Sequence, residues 1–167
     1  VLIGLLRTAN RSGILCMNEL LVKIKEEINI SLYEYRDISF YIDGPKRYFE
    51  ANMEFLNQEI WTSIFNNGLR QIFTQNSDYP PTIYGEFSEI SNSLLTSGDQ
   101  IDGKVKNSVI FRNVKIQKNA IVENCIIGDN SIVEEGVHLK NIMLEADCRI
   151  SKDTTLISSP ENPMVIS

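Results

Sequence analysis

The side chains able to do chemistry are few and far apart. His138 is the single histidine among 167 residues, so any general-base role falls to it alone, and a zinc site built from three imidazoles is excluded. It stands just before Leu139 in a repeat described below, where a surface corner is the plainer reading. Lys115, Lys118, Lys140 and Lys152 are cations that could attract a sugar phosphate, although their scatter fits a solvated face. Cys16, Cys125 and Cys148 are odd in number and lack C-x-x-C spacing, which argues against a disulfide framework and a structural zinc site. They read as buried, unreactive thiols. The nine glycines form no phosphate-cradling cluster. No catalytic or metal-binding residue is therefore assigned, and no cofactor-binding residue can be named.

Bulk composition narrows the partners. A chain that is 43% hydrophobic is expected to fold. Its 16 basic and 22 acidic residues leave a net charge of -6 without a Lys/Arg run, so nucleic acid is not an expected partner. No stretch reaches the roughly 20 apolar residues of a membrane span, and no signal peptide is evident, so a cytoplasmic protein is expected. The chain opens Val1-Leu2-Ile3-Gly4 without Met, in what reads as the middle of an apolar strand, and a fragment of something longer is expected.

The elements that position these residues announce themselves as a repeat. Residues 105–156 align with themselves at a shift of 17: Val105, Val122, Leu139 and Leu156 form one column, Ile110, Ile127 and Leu144 a second, and Ile116, Val133 and Ile150 a third. Successive members are five or six residues apart, which describes a coil with three flat sides. Four residues after each come Val114, Ser131 and Cys148; Ala120, Val137 and Thr154; and Val109, Ile126 and Met143, all read as inward corner residues. Asn107, Asn124 and Asn141, then Asn113, Asn130 and Asp147, then Asn119, Gly136 and Asp153 fall between them. These residues accept the left-handed backbone region, so turn geometry accounts for the Asn columns without a binding ladder. A less regular coil around Ile90 to Leu95 precedes them, with Asn92 only 15 residues before Asn107. The pattern predicts a parallel β-helix of about four coils over 84–167.

The first half reads differently. Ser12 to Cys16 is expected as a strand, followed by a helix capped at Asn18 that carries Leu20, Leu21, Ile24 and Ile28. Residues 32–35 and 38–42 read as strands, and Asp43-Gly44-Pro45 as a turn with Pro at the start of a helix bearing Tyr48, Phe49, Phe55 and Leu56. A further helical turn holds Ile60, Trp61 and Ile64. Tyr48-Phe49 and Phe55-Leu56 are expected to pack on the β-helix or a missing sheet. The organisation is thus a C-terminal remnant of an α/β domain over 1–65, a linker over 66–83, and the β-helix.

Tyr33-Glu34-Tyr35, Tyr48-Phe49-Glu50-Ala51-Asn52-Met53-Glu54-Phe55-Leu56, Pro80-Pro81-Thr82-Ile83-Tyr84-Gly85 and Val105-Lys106-Asn107-Ser108-Val109-Ile110-Phe111-Arg112 occur in this order. In them the chain resembles bacterial glucose-1-phosphate adenylyltransferase (ADP-glucose pyrophosphorylase), from about Ser12 to Ile166. The resemblance implies a nucleotidyltransferase α/β domain followed by a left-handed β-helix with hexapeptide-type repeats. It also implies an oligomeric, allosterically regulated enzyme of glycogen biosynthesis, making ADP-glucose and pyrophosphate from ATP and glucose 1-phosphate with Mg2+. A sugar-phosphate effector between the two domains is implied as well.

The family's Gly-rich nucleotide loop is not in this sequence. Its Trp-x-Asp-Val-Gly-Thr stretch, counted back without gaps from Ala51, falls on Ser39, Tyr41, Asp43 and Gly44, so Tyr41 stands where the metal-associated acid belongs. A one-gap shift brings Asp43 into register instead. The expectation is a non-catalytic, regulatory type of subunit, with no cofactor in this segment and with a catalytic subunit or a second copy as partner. A hexapeptide-repeat acyltransferase using His138, a nucleotidyltransferase for another sugar, and a purely architectural β-helix are the alternatives.

Overall fold

The computed structural model describes residues 17–25, 29, 31, 33–65, 72 and 78–167. The chain divides into two compact units, 1–37 and 38–167.

In the first unit, α1 (Met17–Ile24) buries Leu20 and Ile24, which are four residues apart and share one helical face. The buried face is narrower than expected, since Leu21 is exposed. The helix starts at Met17, one residue before the expected cap at Asn18. The strand expected at 12–16, together with Ile28, lies outside the described residues.

Among the described residues no strand precedes Ile83, and the α/β remnant expected over 1–65 is not seen. Of the segments expected as strands at 32–35 and 38–42, residues 33–35 and 38–42 are exposed and form no strand, and Leu32 lies outside the described residues. A strand exists by virtue of its neighbours, and a parallel one needs cover on both faces. Here neither is supplied among the described residues.

In the second unit, α2 (Pro45–Glu54) begins with Gly44 at the cap and Pro at its first position, where the missing N–H costs nothing. Next comes α3 (Gln58–Phe65). Phe55 turns into an aromatic row, 5.6 Å from Phe40 and 5.9 Å from Phe65 between ring centroids, and Trp61 joins it 5.6 Å from Phe65.

The rest is a parallel β-helix of three five-stranded sheets. Sheet A stacks β1 (Ile83–Tyr84), β4 (Gln100–Ile101), β7 (Lys115–Ile116), β10 (Ile132–Val133) and β13 (Arg149–Ile150). Sheet B stacks β2 (Glu89–Ser91), β5 (Lys104–Lys106), β8 (Ile121–Glu123), β11 (His138–Lys140) and β14 (Thr155–Ile157). Sheet C stacks β3 (Leu94–Leu95), β6 (Val109–Ile110), β9 (Ile126–Ile127), β12 (Ile142–Leu144) and β15 (Met164–Ile166). The stack makes four full turns from β1 to β13, and two further sides complete its last layer. At about 4.8 Å per layer it is roughly 20 Å tall.

The columns read from the repeat are the observed registers: Val105, Val122 and Leu139 pair in sheet B, Ile110 with Ile127 in sheet C, and Ile116, Val133 and Ile150 in sheet A. All are buried in one core. Every corner Asn or Asp named above has positive φ, between 48° and 62°, and Asn92 joins them at 42°. The 15-residue coil has a simple cause. Between β4 and β5 only Asp102 and Gly103 turn the corner, where the other coils use four residues. The shortened corner draws the backbone against the next coil, so that a Cβ on Gly103 would sit 2.6 Å from the Ala120 carbonyl oxygen.

One column was misread. Val109, Ile126 and Met143 are buried, but in a second cluster with Phe49 on the outer face of sheet C. The inward corner between sheets B and C is instead Ser108, Cys125 and Ile142, one residue after each corner Asn. Val109, Ile126 and Met143 are the more apolar of the two columns, so composition alone assigns them to the inside. The left-handed Asn advances the chain by one residue at the corner and reverses the facing.

If the corner Asn residues serve turn geometry, Asn124→Gly should cost less than Asn124→Ala: both lose the amide bond to Asn141, but only Ala resists the left-handed region, which adds about 1 kcal/mol or more. Urea unfolding of the two variants measures the difference.

Candidate functional site

His138 lies on the outer face of sheet B, flanked in register by Ile121 and Thr155. It is half-buried on a flat side, and among the described residues no hydrogen bond orients its ring. A general base needs such an orienting group and a cleft for substrate.

The four lysines occupy different sides. Lys140 is on sheet B, where it meets Glu123 at 3.1 Å and holds that carboxyl below its usual range. Lys118 and Lys152 are on the corner after sheet A, two coils apart, with Glu135 in the equivalent place between them. The Lys118 ammonium lies 3.9 Å from the Phe87 ring centroid. Lys115 is on sheet A, and only it and Lys118 face a common depression, of about 530 Å3. Asp102 and Glu135 line the same depression, so an approaching anion meets both signs of charge.

As expected, Cys125 and Cys148 are free and buried, and burial pushes the Cys125 thiol up to about 12, away from the reactive thiolate. Cys16 lies outside the described residues. Tyr41 and Asp43 are both exposed. Among the described residues no three His, Cys, Asp or Glu side chains gather as metal ligands.

The Asn columns are hydrogen-bonded ladders. The Asn92 amide donates to Asn107 at 2.8 Å, Asn113 to Asn130 at 3.0 Å, Asn130 to Asp147 at 3.0 Å and Asn124 to Asn141 at 2.5 Å. Asn141 in turn donates to the Ser158 carbonyl. Their polar groups are spent on one another, which leaves little for a ligand.

The surface built for contact is sheet C. Its outward register runs Leu94, Val109, Ile126, Met143 and Val165, every one apolar. On α2, Phe49 and Met53 are four residues apart, and Leu56 follows just past the helix end, so all three fall on one face against this strip. Phe49 is 4% exposed, Ile126 2% and Met143 5%. Each such side chain contributes about 1.5–3 kcal/mol on burial. Tyr48, beside Phe49, stays 40% exposed.

Where α2 stops covering the strip, a groove of about 470 Å3 remains. Pro45 and Tyr48 form one wall, Phe111, Met143 and Val165 the floor, and Asp129 and Glu145 the far rim. None of the lining residues is Lys or Arg. Sequence reasoning missed this strip because it assigned Val109, Ile126 and Met143 to the interior. The available signal was that Ser108, Cys125 and Ile142 already filled that corner.

A buried carboxyl marks the opening coil. Asp99, fully buried, takes the inward corner place that Ser131 takes two coils later, and accepts the N–H of Val114 at 2.9 Å and of Thr96 at 3.1 Å. Ser131 likewise accepts the N–H of Cys148 at 3.3 Å. Burial outweighs those hydrogen bonds and raises the Asp99 carboxyl to about 6.

Sequence comparison adds a relationship. Residues 82–162 match the model of the GlmU-like, C-terminal hexapeptide family. The chain is 33% identical over 157 residues to glycogen biosynthesis protein GlgD of Bacillus subtilis strain 168, covering 94% of this chain and 46% of that protein. It is 40% identical over 70 residues to GlgD of Geobacillus stearothermophilus, covering 42% of this chain and 20% of that one. With glucose-1-phosphate adenylyltransferase of Mycoplasma mobile it shares 32% identity over 104 residues, 58% of this chain and 25% of the other. The chain thus spans less than half the length of these relatives. No helix among the described residues is long and apolar enough to cross a membrane.

Two outcomes test the site. Phe49→Ala should cost about 3–5 kcal/mol in the unit containing α2 and should speed amide exchange through Pro45–Glu54 while the β-helix amides stay protected. For Asp99 the sign is set by a folded-state pKa above the unfolded value near 3.8. The native state then binds more protons between about pH 4 and 6, so this group's contribution to stability rises as pH falls. From pH 7 to pH 5 the gain is about 1 kcal/mol, and Asp99→Ser should abolish it, as read from melting temperature against pH.

Proposed function

We propose, from the premise that this chain is a relative of the glucose-1-phosphate adenylyltransferases and GlgD, that it is part of a regulatory, non-catalytic subunit acting in glycogen biosynthesis. The observation that carries the reading is the outward apolar column of sheet C with α2 lying on it. A β-helix that turns one whole side into a docking strip is a platform for assembly and for transmitting a response.

The chemistry assigned to the catalytic partner is attack of the glucose 1-phosphate oxygen on the α-phosphorus of ATP, releasing pyrophosphate with Mg2+ at the phosphates. This chain contributes no reacting group to that step. Counted without gaps from Ala51, Tyr41 offers a neutral phenol where a carboxylate would hold the metal. A sugar-phosphate effector would meet the chain at the depression that Lys115 and Lys118 both line. The alternative of an acyltransferase loses weight because His138 lies on a flat sheet face.

The test is a mixing assay. Pyrophosphate release from ATP and glucose 1-phosphate is followed with the subunit containing this chain, with a catalytic glucose-1-phosphate adenylyltransferase, and with both. The expected result is no turnover from the first alone and a rate in the mixture above that of the catalytic protein alone. ADP-glucose formation by the first alone would overturn the non-catalytic reading, and an unchanged rate in the mixture would overturn the regulatory one.

A further inference from the structure

The groove beside α2 carries negative charge on an apolar bed. Asp129 and Glu145 form its far rim, and neither carboxylate has an ion-pair partner among the described residues. Asp129 accepts the Arg112 backbone N–H at 2.7 Å. The cations of α2, Lys46 and Arg47, do not line the groove and pair with Glu50 of their own helix, at 3.9 and 3.2 Å. The remaining lining is apolar or aromatic, and its Tyr48 and Val165 are each about 40% exposed. Phe111, Gly128 and Glu145 take the same outward place on three successive coils, at the shift of 17. Gly128 adds no side chain, and a Cβ there would sit 2.6 Å from the Glu145 carbonyl carbon, so a larger residue cannot fill the place. An aromatic ring and a carboxylate therefore stand two coils apart, about 10 Å, with only backbone between them.

We propose that this groove is a binding site for a small organic cation, an ammonium or guanidinium group carried on an aromatic or aliphatic body. Its volume of about 470 Å3 is that of a small-molecule site. The body lies on Met143 and Val165 against Tyr48 and Phe111, whose ring faces attract a cation, and the charged end meets Asp129 and Glu145. Other occupants satisfy less of the lining. An anion such as a sugar phosphate finds no Lys or Arg there, and a neutral apolar body gains nothing from the two carboxylates. A bare metal ion meets two carboxylates beside apolar side chains and, among the described residues, no third ligand. The site lies on sheet C, away from the depression on sheet A that Lys115 and Lys118 line. It is read from binding and not from activity, so it stands or falls apart from the regulatory role.

Three probes with one body and different charge test it. Phenethylammonium, phenethyl alcohol and hydrocinnamate are each titrated into the chain and followed through its amide chemical shifts. The cation should bind about tenfold or more tightly than the alcohol, with shifts centred on residues 126–129 and 143–146, and the carboxylate probe should bind least. Added salt should weaken the cation and leave the alcohol unchanged. D129N/E145Q keeps the side-chain shapes and the acceptor for the Arg112 N–H, and should bring the cation to the affinity of the alcohol. Tyr48→Ala, at an exposed position, should weaken both probes alike. Equal affinity for the cation and the alcohol would make the groove a plain apolar contact surface and overturn the proposal. No saturation by the cation in the millimolar range, shifts centred outside the groove, or a cation preference that survives D129N/E145Q would overturn it as well.

Discussion

A left-handed backbone residue at most corners of a triangular coil is the feature from which the remaining structure follows. Three sides of two or three paired residues are too short to be strands on their own. They become sheets because each corner returns the chain above its own earlier course, where backbone N–H groups meet the carbonyls of the adjacent coil. The return is made by Asn, Asp or Gly at φ between 42° and 88°, residues for which that region costs least. Amide ladders between successive corner Asn residues then hold the coils in register.

Closure of the coil leaves an interior so narrow that its corners must be small or self-satisfying. Val114, Ala120 and Val137 fill it without polar groups, while Ser108, Ser131 and Asp99 accept N–H groups from the next coil. Asp99 is the costly member of this set, because the same place elsewhere holds a neutral side chain. The backbone around it is tied to the arriving segment: the Gly98 N–H donates to the Pro80 carbonyl at 2.7 Å and the Ile83 N–H to the Asp99 backbone carbonyl at 2.8 Å.

Outside, the three sides diverge in character. Sheet B carries Glu89–Lys104 and Glu123–Lys140 pairs across neighbouring coils, which neutralise that face locally. Sheet A mixes Gln100, Lys115 and Arg149 with Ile83 and Ile132, and Arg149 is held by Glu134 at 2.5 Å. Sheet C alone is apolar throughout, and it is the side on which α2 lies. The β-helix thus separates its tasks by face: an interior for stability, a charged side for solvation and an apolar side for contact.

The period of 17, the three aliphatic columns and the corner residues were legible in the sequence because each obeys a local rule: side-chain size in a closed coil and φ at a turn. The helix after Asp43-Gly44-Pro45 was legible for the same reason, through a cap and a proline. Facing was not. Val109, Ile126 and Met143 have the composition of a core column, and only the stacked coils showed that they point outward and that Phe49, some 60 residues earlier, covers them. The strands expected at 32–35 and 38–42 also had strand-like composition, yet strand formation needs a neighbouring edge that local sequence does not contain. Likewise the lysines, scattered in sequence, acquired their places only when the coil wound them around its axis: Lys140 on sheet B, Lys115 on sheet A, and Lys118 and Lys152 on one corner. What a residue can do alone was therefore set by the sequence, and what it faces was decided by the tertiary structure, because pairing and covering belong to two parts of the chain at once.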